Sequence, residues 1–256
     1  MNQFVAQSLH DSDKHFWHRY LSFYDQHLSK LQNVELIVEF GVFHGASIRW
    51  LRQRFPESRI FGMDILPQQM DWPVHDLIQY IQVDQGDRSA VSAALSHIGD
   101  GIDLLIEDGS HIPQHQATCL AVGMKHVRSG GLYILEDIAT SHPLNANFAR
   151  FTHRLGAPRP TALHVLMAIQ HQKDIGGAAV SVGQANVLAD DEFFSSEQIQ
   201  ELASAITSVD IYKRTQLPLR CYACGRSDFD YINWTCRCGA RLNDPADSMT
   251  AVIQKA

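Results

Sequence analysis

Between residue 34 and about residue 137, short apolar runs take turns with amphipathic stretches. Residues 34–40 read as a strand that runs into Gly41, and 59–64 as a second strand. Residues 77–83, 102–106 and 132–135 supply a third, fourth and fifth, while 47–55 has helical spacing. Strands alternating with helices in this way predict a parallel sheet flanked by helices. The expected fold is therefore a doubly wound α/β domain.

The flanks extend this picture. Phe16, Tyr20, Phe23, Tyr24, Leu28 and Leu31 recur at helical spacing ahead of the sheet, a stripe expected to pack into the core and not to form a ligand surface. Residues 138–188 are less regular and contain Pro143, Pro158 and Pro160, with a helix expected around 161–172. A connection of that length suits a lid or a binding wall. Residues 209–213 and 249–254 read as strands of a terminal hairpin, with a cysteine cluster inserted between them. The expected organisation is a helical cap (1–33), the sheet domain (34–216), the cysteine insertion (217–247) and a last strand of the sheet (248–256).

Composition narrows the partners. The 256 residues are 45% hydrophobic and 19% charged, which suits a packed globule and not a disordered chain. The net charge of -7 argues against nucleic acid, whose binding needs a basic surface. No apolar run approaches the ~18 residues of a spanning helix, and the first residues lack the cationic start and apolar stretch of a signal peptide. A soluble, cytoplasmic protein without membrane or nucleic-acid partners is expected.

The first strand enters Glu39-Phe40-Gly41-Val42-Phe43-His44-Gly45-Ala46-Ser47. Glycines here let the backbone turn sharply near a ligand at the start of a helix. A dinucleotide loop would be G-x-G-x-x-G; this one is G-x-x-x-G, with Phe43 where the second glycine makes room for pyrophosphate. Glu39 suits an ammonium-bearing ligand. Asp64, ending the second strand, stands where an acid binds ribose hydroxyls, and Asp87 after the third strand is a candidate for an adenine amino group. Together they suit a nucleoside without phosphate, S-adenosylmethionine (SAM). The alternative is that Glu39 is a capping residue and Gly45 only packs.

The fourth strand ends in Glu107-Asp108-Gly109-Ser110-His111, and the fifth in Glu136-Asp137. Ligands of open parallel sheets sit beyond the carboxyl ends of the strands. Asp108, Glu136 and Asp137 would converge there as an oxygen site suited to Mg²⁺, which relieves their mutual repulsion; alternatively they cap helices and face solvent. Asp108 also stands close enough to contribute to the cofactor site. Among 14 histidines, His111 is singled out by its place three residues beyond Asp108, as a group able to take a proton. Four of the five cysteines, Cys221, Cys224, Cys236 and Cys238, form a C-x-x-C and a C-x-C pair suited to structural Zn²⁺, against free or redox-active thiols.

These residues resemble a known group, the metal-dependent class I SAM O-methyltransferases acting on macrolide sugars, of the mycinamicin and tylosin type, with related rhamnosyl O-methyltransferase and cephalosporin-hydroxylase-like proteins. The resemblance runs from about Asp13 to Ile138. It rests on Ser12-Asp13-Lys14, Glu39-x-Gly41-Val42-x-x-Gly45-x-Ser47, Phe55-Pro56-x-x-x-Ile60-x-Gly62-x-Asp64, Gly86-Asp87, Asp108-Gly109-Ser110-His111 and Gly130-Gly131-x-Tyr133-x-x-Glu136-Asp137. It implies a seven-stranded, mostly parallel sheet, with SAM at Glu39, Gly41, Gly45, Asp64 and Asp87. It implies Mg²⁺ at Asp108, Glu136 and Asp137, His111 as general base, and a hydroxylated, sugar-bearing acceptor in an enzyme that often assembles as a homo-oligomer. Glu107 stands where the group usually has Asp, and the cysteine insertion is not part of its pattern. Three rival functions stay in view: a nicotinamide-dependent oxidoreductase, a non-catalytic SAM-binding adaptor with a zinc knuckle, and an Fe²⁺ hydroxylase-like protein.

Overall fold

The structure, a computed structural model, describes residues 12–148, 150, 159–176, 180–244 and 246–256. Its centre is the expected seven-stranded sheet. Strands β1 (Leu36–Phe40), β2 (Arg59–Asp64), β3 (Ile78–Gln82), β4 (Ile102–Glu107) and β5 (Val127–Leu135) run parallel, and β6 (Ile206–Lys213) and β9 (Met249–Lys255) complete the sheet. The order is β3-β2-β1-β4-β5-β9-β6, with β9 antiparallel to both neighbours. The order reverses at β1, between β2 and β4, and that point opens the crevice in which such sheets bind ligands.

Period-two alternation along the buried strands divides the core into two layers. Val38 and Phe40 of β1, Leu105 of β4 and Tyr133 and Leu135 of β5 pack on one face. That layer also takes in residues of α4 (Arg88–Ile98), α5 (Pro113–His126), α6 (Ala162–Asp174) and α8 (Ser196–Ala205); α7 (Val182–Leu188) precedes α8. Ile37, Leu104, Ile106, Leu132 and Ile134 pack on the other face, with residues of α2 (Leu21–Leu28) and α3 (Ala46–Arg54).

The aromatic stripe at the N-terminus is not one helix. It forms α1 (Asp13–Phe16) and α2, and the chain turns between them at Arg19, φ 62°. The strand expected at 132–135 begins earlier, at Val127, and takes Gly130-Gly131 inside it. Gly131 has no room for a side chain there, since an added Cβ would lie 2.9 Å from the Val127 side chain. The helix expected around 161–172 is α6; Pro158 lies outside the described residues. The four cysteines sit between β6 and β9, around a two-stranded ribbon of β7 (Phe229–Asp230) and β8 (Thr235–Cys236). Among the described residues, no helix is long and apolar enough to cross a membrane.

Candidate active site

The strand register brings the acids together. Glu39 pairs in register with Ile106, and Ile106 with Ile134. Counting by two from these positions, Glu39, Asp108 and Glu136 fall on the same side of three adjacent strands. That is the side covered by the N-terminal helices. Glu107 falls on the opposite side, where Gln85 Nε2 donates to it at 2.6 Å.

One cation reaches all three acids. Lys14 Nζ lies 2.6 Å from Asp108 Oδ2, 2.6 Å from Glu136 Oε1 and 3.3 Å from Glu39 Oε1. Burial alone would push the Lys14 ammonium toward neutrality, but Asp108, Glu136 and Glu39 together hold its pKa well above the ordinary lysine value. Burial raises Glu136 and Glu39, and Lys14 offsets only part of this. Tyr24 donates its hydroxyl to Glu136, and Tyr20 donates to Asp137 at 2.7 Å. The two tyrosine rings are core, as the spacing predicts, while their hydroxyls belong to the site.

Asp137 and His111 close the group. Both adopt left-handed backbone, φ 47° and 55°, which places their side chains toward Asp108. His111 Nε2 is 3.7 Å from Asp137 Oδ2 and 4.0 Å from Asp108 Oδ1. Burial lowers the His111 pKa, yet Asp137, Asp108 and Glu107 outweigh it and leave the imidazole raised. His111 Nδ1 is buried without a partner, while Thr140 fixes the residue by donating to its carbonyl at 2.7 Å. Donor atoms of Asp108, His111 and Asp137 all lie within 4.8 Å of one another, a spacing that fits one divalent cation. Glu136, expected in that set, has its Oε1 engaged by Lys14 and Tyr24 instead.

A cleft of ≈ 890 Å³ opens over this group, lined among others by Lys14, Gly41, Phe43, Asp64, Asp108, His111 and Asp137. That volume lies within the range of small-molecule sites. Gly41, at φ +87°, is required by a close approach: a Cβ there would stand 2.0 Å from the carbonyl oxygen of Asp108. Asp64 Oδ2 accepts from Val42 N at 2.9 Å and Phe43 N at 3.4 Å, and so braces the glycine loop. Gly45 caps α3 at φ 70°, packed against Pro73, next to His44 of the cleft lining. Glu39 does meet an ammonium, but it is that of Lys14, and its Oε2 is buried without a partner. Asp87 is not among the lining residues; its carboxylate accepts from Ser89 N and Ala90 N as the N-cap of α4. Asp84 and Gln85 line the cleft in its place.

Sequence reasoning missed Lys14, Tyr20 and Tyr24 as site residues, along with Tyr222, which reaches the cleft from the cysteine insertion. The Ser12-Asp13-Lys14 motif was the available signal for Lys14.

The sheet order and the acids at its carboxyl edge define the class I methyltransferase fold. Residues 38–138 match the family model described as a methyltransferase domain. A Micromonospora griseorubida protein named mycinamicin VI 2''-O-methyltransferase is 35% identical over 136 residues, 50% of this chain and 33% of its own length. The Streptomyces olivaceus 8-demethyl-8-(2-methoxy-alpha-L-rhamnosyl)-tetracenomycin-C 3'-O-methyltransferase is 32% identical over 143 residues, 52% of this chain and 36% of its own. The chain thus spans about a third of the length of these curated relatives. A mycinamycin-pathway methyltransferase crystallised with Mg and SAH shares the fold, with a TM-score of 0.59 at 21% identity over 93% of this chain and 50% of that one. The resemblance to the macrolide-sugar O-methyltransferases therefore holds in sequence, and the class I architecture in three dimensions.

Proposed function

We propose that the protein is a SAM-dependent O-methyltransferase that methylates a hydroxyl of a sugar or sugar-bearing small molecule with the help of a divalent cation. The observation that carries this reading is the meeting of Asp108, His111 and Asp137 at the wall of a cleft beyond the carboxyl ends of β1, β2, β4 and β5. The names of the relatives, which describe O-methylation of rhamnosyl and macrolide substrates, support the same class of acceptor.

In this reading Gly41, Asp64 and the loop between them hold the nucleoside, which supplies an electrophilic methyl group on sulfur. Asp108 and Asp137 hold the cation, with Glu136 kept behind them by Lys14 and Tyr24; when bound, Mg²⁺ lends Lewis-acid stabilisation to an oxygen gaining negative charge. His111 Nε2 receives the proton of the acceptor hydroxyl. The acceptor oxygen bonds to the methyl carbon as the carbon–sulfur bond breaks, its electron pair staying on sulfur. General-base help of this kind is worth ~10²–10⁴ in rate. Phe43, in left-handed backbone at φ 50° in the loop, opposes the dinucleotide alternative.

The same reading assigns one structural Zn²⁺ to Cys221, Cys224, Cys236 and Cys238, and keeps the domain boundaries set out from the sequence. A cytoplasmic location and self-association also belong to it, the latter with apolar Ile65, Leu66, Met70 and Val74 exposed along the loop after β2. The test is incubation with SAM, Mg²⁺ and a panel of rhamnosides and macrolide glycosides, followed by mass spectrometry. Methylated product that disappears with EDTA is expected. Product formation unaffected by EDTA would overturn the role of the cation.

A further inference from the structure

The cysteine insertion reaches the active site through α1. Cys221 and Cys224 stand on one turn and Cys236 and Cys238 on another, each closed by a glycine in left-handed backbone, Gly225 (φ 71°) and Gly239 (φ 88°). Gly225 N donates to Cys221 O across four residues and Gly239 N to Cys236 O across three, both at 2.8 Å, so each turn is closed by a backbone hydrogen bond from its glycine. Sγ atoms of Cys221 and Cys238 are 3.7 Å apart, and those of Cys224 and Cys236 are 3.5 Å apart. A disulfide needs about 2.05 Å. Four thiolates around one tetrahedral Zn²⁺, with bonds of about 2.3 Å, stand about 3.8 Å from one another. The observed spacing is therefore that of a metal cage. Cys221, Cys236 and Leu242 form a small core of their own, and Trp17 packs against it.

Trp17 is the C-cap of α1, the helix that carries Lys14. Leu219 N donates to Phe16 O at 2.7 Å, and Arg214 Nη1 donates to Trp17 O at 2.7 Å. The Arg214 guanidinium lies 4.6 Å over the Trp17 ring, and that of Arg220 lies 4.1 Å over Phe16. Tyr222, next to Cys221, faces Trp17 with ring centroids 6.1 Å apart, and also lines the cleft. A four-residue helix cannot hold itself in water, because nucleation costs more than one turn returns. Its position must come from what it packs against.

We propose that Zn²⁺ in the four-cysteine knuckle clamps α1, and thereby keeps Lys14 among the site carboxylates and Tyr222 in the cleft wall. The proposal rests on the zinc assignment made above and is independent of which acceptor the enzyme uses. A knuckle this small has too little core to fold without its ion, and an unfolded knuckle withdraws the surface on which Trp17 rests.

The test uses the whole 256-residue chain. Elemental analysis should find one zinc per chain, and a Cys221→Ser/Cys224→Ser variant should lose it. Zinc is then removed from the wild type with a chelator, and backbone hydrogen exchange is followed by mass spectrometry. Exchange in the peptide spanning residues 12–20 should quicken at least ~10-fold, the mark of local opening, while β4 and β5 keep their protection. Added Zn²⁺ should restore the slow exchange, and added Mg²⁺ should not. Absence of zinc overturns the proposal, as does unchanged exchange of residues 12–20 after zinc is gone. Titration of the zinc-loaded protein with S-adenosylhomocysteine (SAH) separates the two readings. Failure to bind SAH would count against the methyltransferase and leave the clamp standing.

Discussion

Replacing Lys14 by Met keeps the volume of the buried side chain and deletes its charge. Lys14 Nζ lies 2.6 Å from a carboxylate oxygen of Asp108 and 2.6 Å from one of Glu136, with its own side chain only 5% exposed. At an effective dielectric of ~20, each contact is worth roughly 6 kcal/mol of attraction. Desolvation of the ammonium offsets much of that, and removing one partner of a buried ion pair costs about 3–5 kcal/mol net. At roughly 2–4 °C per kcal/mol for a protein of this size, Lys14→Met should lower Tm by about 6–20 °C. The pH dependence carries the diagnosis. The Lys14 pKa is raised on folding, so its contribution is complete below the ordinary lysine value and fades only as pH climbs through the folded one. Glu39 and Glu136 are raised by burial, so in the folded state they hold protons that the unfolded chain gives up as pH rises. Without Lys14 they are raised further. The Tm deficit should therefore be small near pH 5 and widen toward pH 8, which scanning calorimetry at both pH values would read. A deficit under about 2 °C at pH 8, or an equal one at both pH values, would refute the view of Lys14 as the charge that holds this cluster together.

Burial pushes Glu107 up to about 7, so its stabilising effect is greatest at acid pH and declines as pH rises from the ordinary carboxyl range through that value. Glu107→Gln should accordingly stabilise the protein by roughly 3 kcal/mol at pH 8 and by little at pH 4; equal Tm for variant and wild type at pH 8 would contradict this. His111→Ala should bind SAH as the wild type does while turning over at least ~10² times more slowly, so near-normal turnover would remove His111 as the base. Asp87→Ala should cost about 1 kcal/mol as a lost helix cap with SAH affinity unchanged; a tenfold weaker Kd would return Asp87 to the nucleoside site.

The sheet was legible because β1, β2 and β4 are each built on a short apolar run, and acids stand at or just beyond the ends of those runs. The start of β5 was not, because Arg128, Ser129, Gly130 and Gly131 break the apolar run and fall in the register irregularity between the Val127 and Leu132 pairings to β4. Asp108, His111 and Asp137 were legible for the same reason as the strands, since each follows a strand end. The two tyrosines were not, and Lys14 was legible only as part of the Ser12-Asp13-Lys14 motif. The carboxylate partners of the tyrosines lie more than 100 residues away along the chain, and no local period records a hydroxyl that leaves a core ring for a carboxylate. Asp87 also carried a readable capping signal, because an Asp directly ahead of a helical stretch is capping chemistry.

The most direct test of the central claim is calorimetric titration of the purified protein with SAH and, separately, with NAD. The cleft should bind SAH with a micromolar Kd and leave NAD unbound, because Phe43 stands where a pyrophosphate needs glycine. Binding of NAD without binding of SAH would contradict the methyltransferase assignment.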